Sequence, residues 1–148
     1  MSKFFVEKPS AFTPALEVST VFMEYAETLL LLKRTRCSLS PHTWGIPGGK
    51  LEKNETPLEG LLREIWEELQ LSPQVEQLVF QRSLYVSHPK VDYRLHLFRW
   101  KLDKKPFIVL DPKEHVDYVW QPIKEFDAVN LLEGQLEAFK YVYAHNHV

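Results

Sequence analysis

The chain is expected to fold as an α/β domain with a mixed β-sheet between helices, and three observations predict it. Two aliphatic and β-branched runs stand near the N-terminus, one well-capped helical stretch follows a glycine-containing loop, and further strand-like runs lead to a second helical segment. The order β, β, α, several β, α places helices on both faces of one sheet. At 148 residues, 45% of them apolar, the chain suits a single domain with enough interior to fold without covalent staples.

Residues 1–16 carry Phe4, Phe5 and Phe12 interrupted by Pro9 and Pro14, which suits an irregular arm lying on the domain or on a partner subunit. The domain proper is expected over residues 17–148. Residues 18–25 and 28–34 read as two strands, and the short turn at Ala26 and Glu27 makes them a hairpin. Residues 38–49 form a loop with Pro41, Pro47 and three glycines. Residues 57–69 are strongly helical. Strand character returns at residues 75–87, 93–102 and 107–110, then at a short strand over 115–120, before a terminal helix expected over 131–144.

Charge and composition exclude several roles. The formal net charge is −2, so no global field draws the chain to nucleic acid, and any polyanion must be met locally. Cys37 is the only cysteine, and the N-terminal ten residues lack the apolar stretch of a signal peptide. The longest apolar run, residues 29–32, falls far short of the ~20 residues that span a bilayer. A cytoplasmic protein with no membrane role is expected. His88 and His96 have no spacing partner that makes a zinc site, and His145 and His147 sit at the extreme terminus. Neither Cys37 nor any of the six histidines is needed in the chemistry described next.

The helix over 57–69 has a start with a mechanism. Thr56 can accept from the backbone N–H of Glu59, Pro57 stands where no N–H is needed, and the Glu59 side chain can reach back. With ~100° per residue, Leu58, Leu61, Leu62, Ile65 and Leu69 share a stripe that faces the core. Glu64, Glu67 and Glu68 share a narrow sector beside that stripe, with Gly60 one turn earlier. Like charges at these spacings repel, and no lysine follows on the same face. A divalent cation would offset the repulsion, since hard ions such as Mg²⁺ prefer oxygen ligands. Just upstream, Gly45, Pro47, Gly48 and Gly49 let the backbone approach whatever the carboxylates hold. Glu55 and Arg63 stand close enough to pair and lock the loop onto the helix. Lys50 reads equally as a surface lysine or as a phosphate contact.

These residues carry a family resemblance. Gly49, five residues, Glu55, seven residues, then Arg63-Glu64-Ile65-Trp66-Glu67-Glu68-Leu69-Gln70-Leu71 resembles the Nudix box, with every specified position met except Gln70, where the family has glycine. That position follows the helix, where a left-handed residue is wanted, so the departure concerns the helix terminus and not the ligands. The lead-in from Trp44 through Gly48 and Gly49 to Glu52 resembles MutT-type members. The resemblance implies a Nudix-type α/β/α sandwich that hydrolyses a nucleoside diphosphate linked to another group, using Mg²⁺ or Mn²⁺. By position it implies Gly48 (through its carbonyl), Glu64, Glu67 and Glu68 as metal ligands, and Arg63 with Glu55 as the pair orienting a catalytic Glu64. Gly49 and Lys50 are the candidate substrate contacts, with a surface lysine as the alternative for Lys50. Glu114, six residues before Trp120, resembles the family's outlying catalytic glutamate, with a surface glutamate in the turn over residues 111–114 as the alternative.

The box meets the pyrophosphate that all candidate substrates share, so base identity must be read elsewhere, with Tyr85, Tyr93, Phe126 and Asn130 as candidates. The MutT-like lead-in favours a nucleoside triphosphate, an oxidised guanine nucleotide among them. A nucleotide sugar, a dinucleoside polyphosphate, or a non-catalytic module that only binds nucleotide are the alternatives. The partner expected is thus a small nucleotide, with no nucleic acid indicated, and the chain is expected as a monomer or homodimer.

Overall fold

The computed structural model describes residues 1–144, so the readings of His145 and His147 lie outside the described residues. The strands are β1 (Lys3–Phe5), β2 (Leu16–Tyr25), β3 (Thr28–Arg34), β4 (Trp44–Gly45), β5 (Gly48–Lys50), β6 (Val79–Ser87), β7 (Asp92–Lys101) and β8 (His115–Pro122). Among the described residues two α-helices join them, α1 (Pro57–Leu69) between β5 and β6, and α2 (Gln135–Tyr143) after β8. All the strands belong to one sheet with the path β1-β6-β7-β2-β3-β4, to which β5 adds on β2 and β8 on β3. Only β2 and β7 run parallel, from Leu16↔Tyr93 to Glu24↔Lys101; the other pairs are antiparallel. The sheet is mixed.

Side-chain parity along the strands builds two interiors. Phe22, Leu29, Leu31, Leu95 and Leu97 face α2, where they meet Phe126, Ala138, Val142 and Tyr143. Val21, Met23, Leu30, Leu32, Phe98 and Trp100 face α1, where they meet Leu61, Ile65 and Leu69. The stripe expected on the helical wheel is the one buried, with Leu58 and Leu62 half-buried at its margin. The architecture is an α/β/α sandwich. Among the described residues no helix is long and apolar enough to cross a membrane.

The β2–β3 hairpin closes through two residues, Ala26 at φ 47° and Glu27 at φ 62°, as a tight turn between paired Tyr25 and Thr28 requires. The pairing is brief, covering only Glu24↔Leu29 and Tyr25↔Thr28, because β2 turns its other half to β5 through Val18↔Lys50, Ser19↔Gly49 and Thr20↔Gly48. The strand thus forks, and the loop expected over 38–49 contains the short strands that fill the fork.

Four elements differ from expectation. Lys3–Phe5, placed in an irregular arm, pairs with β6 of the same chain as an edge strand, and Phe12 is buried against Tyr85. Residues 75–77 form a 3₁₀ turn and not the start of a strand. Residues 107–110 alternate as a strand would, yet make no ladder: Ile108 and Leu110 pack toward α1, and the Val109 N–H donates to the Leu69 carbonyl at 3.1 Å. The alternation there covers the end of a helix. Finally, α2 begins at Gln135, because Leu131 bridges to Trp44 and the Leu132 N–H bonds the Trp44 carbonyl at 2.8 Å.

Candidate active site

α1 is fixed at its start as its sequence requires. Thr56 Oγ1 accepts from the Glu59 N–H at 3.2 Å, and Glu59 Oε1 accepts from the Thr56 N–H at 2.9 Å, a reciprocal capping box with Pro57 behind it. Ser19 Oγ on β2 donates to the Pro57 carbonyl at 2.8 Å and ties that start to the sheet. The end is closed by Gln70 in the left-handed conformation, φ 56° and ψ 43°, its N–H donating to the Trp66 carbonyl. This is the geometry a C-terminal glycine usually provides.

β5 brings two glycines against this helix. Gly48 has φ 147°, and a Cβ there would lie 2.2 Å from the Ser19 carbonyl oxygen. At Gly49 a Cβ would lie 2.5 Å from the Glu64 carboxyl group. Only glycine lets the strand pass so close to the carboxylates. The Gly48 N–H uses that proximity and donates to Glu68 Oε1 at 2.9 Å.

Arg63 fastens the loop to the helix. Its Nε and Nη2 grip both oxygens of Glu55 at 2.7 and 3.0 Å, Nη1 reaches Glu64 Oε1 at 3.0 Å and Glu67 Oε2 at 3.1 Å, and Nη2 also meets the Lys50 carbonyl at 3.0 Å. Five N–H donors have found five acceptors. The guanidinium, followed by the N–H that Glu52 places nearby, pulls the Glu55 carboxyl down to about 2, and the same bond to Glu55 raises Arg63 further. Here the charge balance differs from expectation: compensation on the acidic face comes from an arginine N-terminal to Glu67, at i,i+4.

The carboxylates are graded by depth in the folded protein. Glu68 is 5% exposed, Glu64 half-buried and Glu67 exposed. Burial, opposed in part by the Gly48 N–H, pushes Glu68 well above the usual carboxylate range, with Glu64, Glu114 and Glu67 adding repulsion. Burial likewise raises Glu64 against the pull of Arg63. Glu114 therefore stands within the electrostatic reach of the cluster. One carboxylate oxygen each from Glu68 and Glu114 and one ring nitrogen of His115 lie within 4.8 Å of one another. Stacked oxygen donors whose negative charge is only partly balanced are what a hard divalent cation requires, so the residues present fit Mg²⁺ or Mn²⁺.

The cluster opens on a cleft of about 200 Å³ lined by Gly48, Gly49 and Glu68 together with Val18, Leu95, Tyr93 and Gln135. Gln135 is held there by the Ile46 N–H, which donates to its Oε1 at 2.8 Å. The structure thus gathers Gly48, Gly49, Glu55, Arg63, Glu64, Glu67, Glu68 and Glu114, whereas Lys50 joins through its carbonyl and its side chain is exposed. Of the four candidate base contacts only Tyr93 lines the cleft. Phe126 is stacked on Phe139 at 4.2 Å, Tyr85 packs on Phe12, and Asn130 accepts from the Trp44 N–H. Sequence reasoning missed Arg34, Gln135 and His115, all of which line the cleft. The adjacency of His115 to Glu114 was the available signal. His96, by contrast, is buried between Ser83 and Glu17, 2.6 Å from each.

The sequence matches the family model of the NUDIX domain over residues 13–144. The chain belongs to this family. Among curated NUDIX relatives, the dihydroneopterin triphosphate diphosphatase of Haemophilus influenzae is 25% identical over 133 residues, 81% of either chain. The m7GpppN-mRNA hydrolase NUDT17 of Bos taurus is 43% identical over 54 residues, which are 36% of this chain and only 18% of that longer protein. A MutT NUDIX hydrolase from Burkholderia pseudomallei has the same fold, with a TM-score of 0.73, 19% identity, and coverage of 86% of this chain and 97% of that one.

Proposed function

We propose that this NUDIX chain is a divalent-cation-dependent pyrophosphohydrolase that splits a nucleoside triphosphate into monophosphate and pyrophosphate. The observation that carries the reading is the carboxylate cluster of Glu64, Glu67, Glu68 and Glu114 beside a cleft that Glu68 lines, with Arg63 holding Glu64 and Glu67 and the Gly48 N–H holding Glu68. Mg²⁺ or Mn²⁺ held by Glu64, Glu67, Glu68 and the Gly48 carbonyl would neutralise phosphate charge and acidify a bound water. Glu64, positioned by Arg63 through its Oε1, takes the proton of the attacking water. Water oxygen bonds to phosphorus, the bridging P–O bond breaks, and pyrophosphate leaves with the electron pair. Arg63 acts as a positioning residue, since its donors are spent within the protein. Gly49 lets a phosphate approach closely, and Tyr93 with Val18 and Leu95 offers a surface for the base.

A cleft of about 200 Å³ encloses only part of a nucleotide, so the group beyond the pyrophosphate is weakly restricted. The H. influenzae relative is named for a pterin triphosphate, and that compound belongs in the test beside ordinary and oxidised guanine nucleotides, a nucleotide sugar and a dinucleoside polyphosphate. Products are resolved by ³¹P NMR with Mg²⁺ and with excess chelator. Monophosphate and pyrophosphate formed only with metal, and lowered by orders of magnitude in Glu67→Gln and Glu68→Gln, are expected. Orthophosphate as first product, full turnover in chelator, or binding without turnover would each sink the reading.

A further inference from the structure

Glu114 and His115 are fixed at the start of β8 by backbone bonds: the Thr35 N–H donates to the Glu114 carbonyl at 3.0 Å, and the His115 N–H to the Asp111 carbonyl at 3.0 Å. The ladder with β3 then slips. Lys33 stands opposite Asp117 but Arg34 stands opposite His115, so Val116 is an extra residue and β8 carries a bulge. Strict alternation would give His115 the parity of Val119, which packs on the α2 side. The bulge returns it to the side of Leu32, which faces α1 and therefore Glu68. His115 is 9% exposed, and its Nδ1 is buried with no hydrogen-bond partner among the described residues. A buried polar group with no partner is uncommon unless something else meets it.

We propose that His115 supplies a ring nitrogen to a divalent cation shared with Glu68 and Glu114, forming a mixed nitrogen–oxygen position beside the carboxylates of α1. The proposal rests on the reading of those carboxylates as a cation site. Imidazole adds little for Mg²⁺ and is a better ligand for first-row transition-metal ions, so this position favours Co²⁺ and, to a lesser degree, Mn²⁺ over Mg²⁺. The carboxylate sector of α1 alone would show no such bias.

The test uses the full chain with Mn²⁺ as the probe. Bound Mn²⁺ is counted by continuous-wave electron paramagnetic resonance, and its ligands are read by electron spin-echo envelope modulation. Nitrogen modulation is expected in the wild type, replaced by the ¹⁵N pattern when only histidine is ¹⁵N-labelled, and absent from His115→Leu or, should that variant not fold, from His115→Asn. The ratio of Mn²⁺ to Mg²⁺ affinity should fall about tenfold or more in the variant, the scale seen when a supporting group of a metal site is removed. Bound Mn²⁺ without histidine nitrogen coupling in the labelled wild type overturns the role of His115 and leaves the carboxylate site standing. A wild type that binds no Mn²⁺ overturns both.

Discussion

Arg63 is read most clearly as a residue whose work is internal. Its five bonds use the whole guanidinium, which lysine cannot imitate with three donors on a flexible stem. In Arg63→Lys the Glu55 carboxyl should climb from about 2 toward its ordinary 4.5, followed by carboxyl NMR titration, while turnover falls by at least about tenfold. An unmoved Glu55 titration would show that another group holds it. The pair was legible from spacing because seven residues separate Glu55 from Arg63 across a helix with a fixed start. The depth of Glu68 was not, since a wheel gives angles and only the sheet decides which angles are covered. That depth has a pH signature. Burial raises Glu68 above 4.5 in the folded protein, so without metal its folded form favours the proton, and its charging costs stability as pH rises past 4.5 toward the higher folded value. His115, depressed to about 4 mainly by burial, has the opposite effect, lost stability as pH falls from 6.5 toward 4. Melts in chelator should therefore show Glu68→Gln gaining on the wild type as pH rises from 4.5. A gap independent of pH would mean Glu68 is solvated.

At the scale of elements, the start of α1 was legible to the residue because Thr56, Pro57 and Glu59 encode it, whereas its end falls at the glycine position of the box although Gln70 fills it. Thr56→Ala removes one half of the capping box and should cost about 1 kcal/mol. Gln70 occupies a conformation in which a side chain is strained, so Gln70→Gly should stabilise by up to ~1 kcal/mol and raise the melting temperature by about 2–4 °C without changing turnover. Calorimetry checks both, and a destabilised Gln70→Gly would show that the Gln70 side chain has contacts worth more than its strain. The elements read less well are those whose state depends on a distant edge. Ile108 and Leu110 are apolar at strand spacing, but among the described residues the segment pairs with no strand: its apolar side chains pack toward α1 and its Val109 N–H is taken by the Leu69 carbonyl. Leu131 and Leu132 continue the apolar pattern of α2 yet pair with Trp44, which holds the helix off until Gln135.

For the whole molecule, the two-faced sheet and its β2–β3 hairpin were legible from order and alternation, whereas the pairing of distant strands was not. Nothing local in residues 16–24 announces that they lie parallel to residues 93–101. That central ladder joins segments such as Val18 and Leu95, which stand about half the chain apart, and non-local pairings of this kind form late and slowly, on the millisecond-to-second scale. Synthesis runs from the N-terminus. A ribosome therefore releases Gly48, Arg63 and the glutamates of α1 well before the strand that completes the sheet beneath them. A fragment ending before Asp92 should carry nearly the whole glutamate set yet give no cooperative melt and no Mg²⁺-dependent shift, whereas a cooperative transition in that fragment would contradict this. In the cell such a nascent chain would present the apolar stripe of Leu61, Ile65 and Leu69 to solvent throughout that interval, making early elongation the period in which it most depends on chaperones.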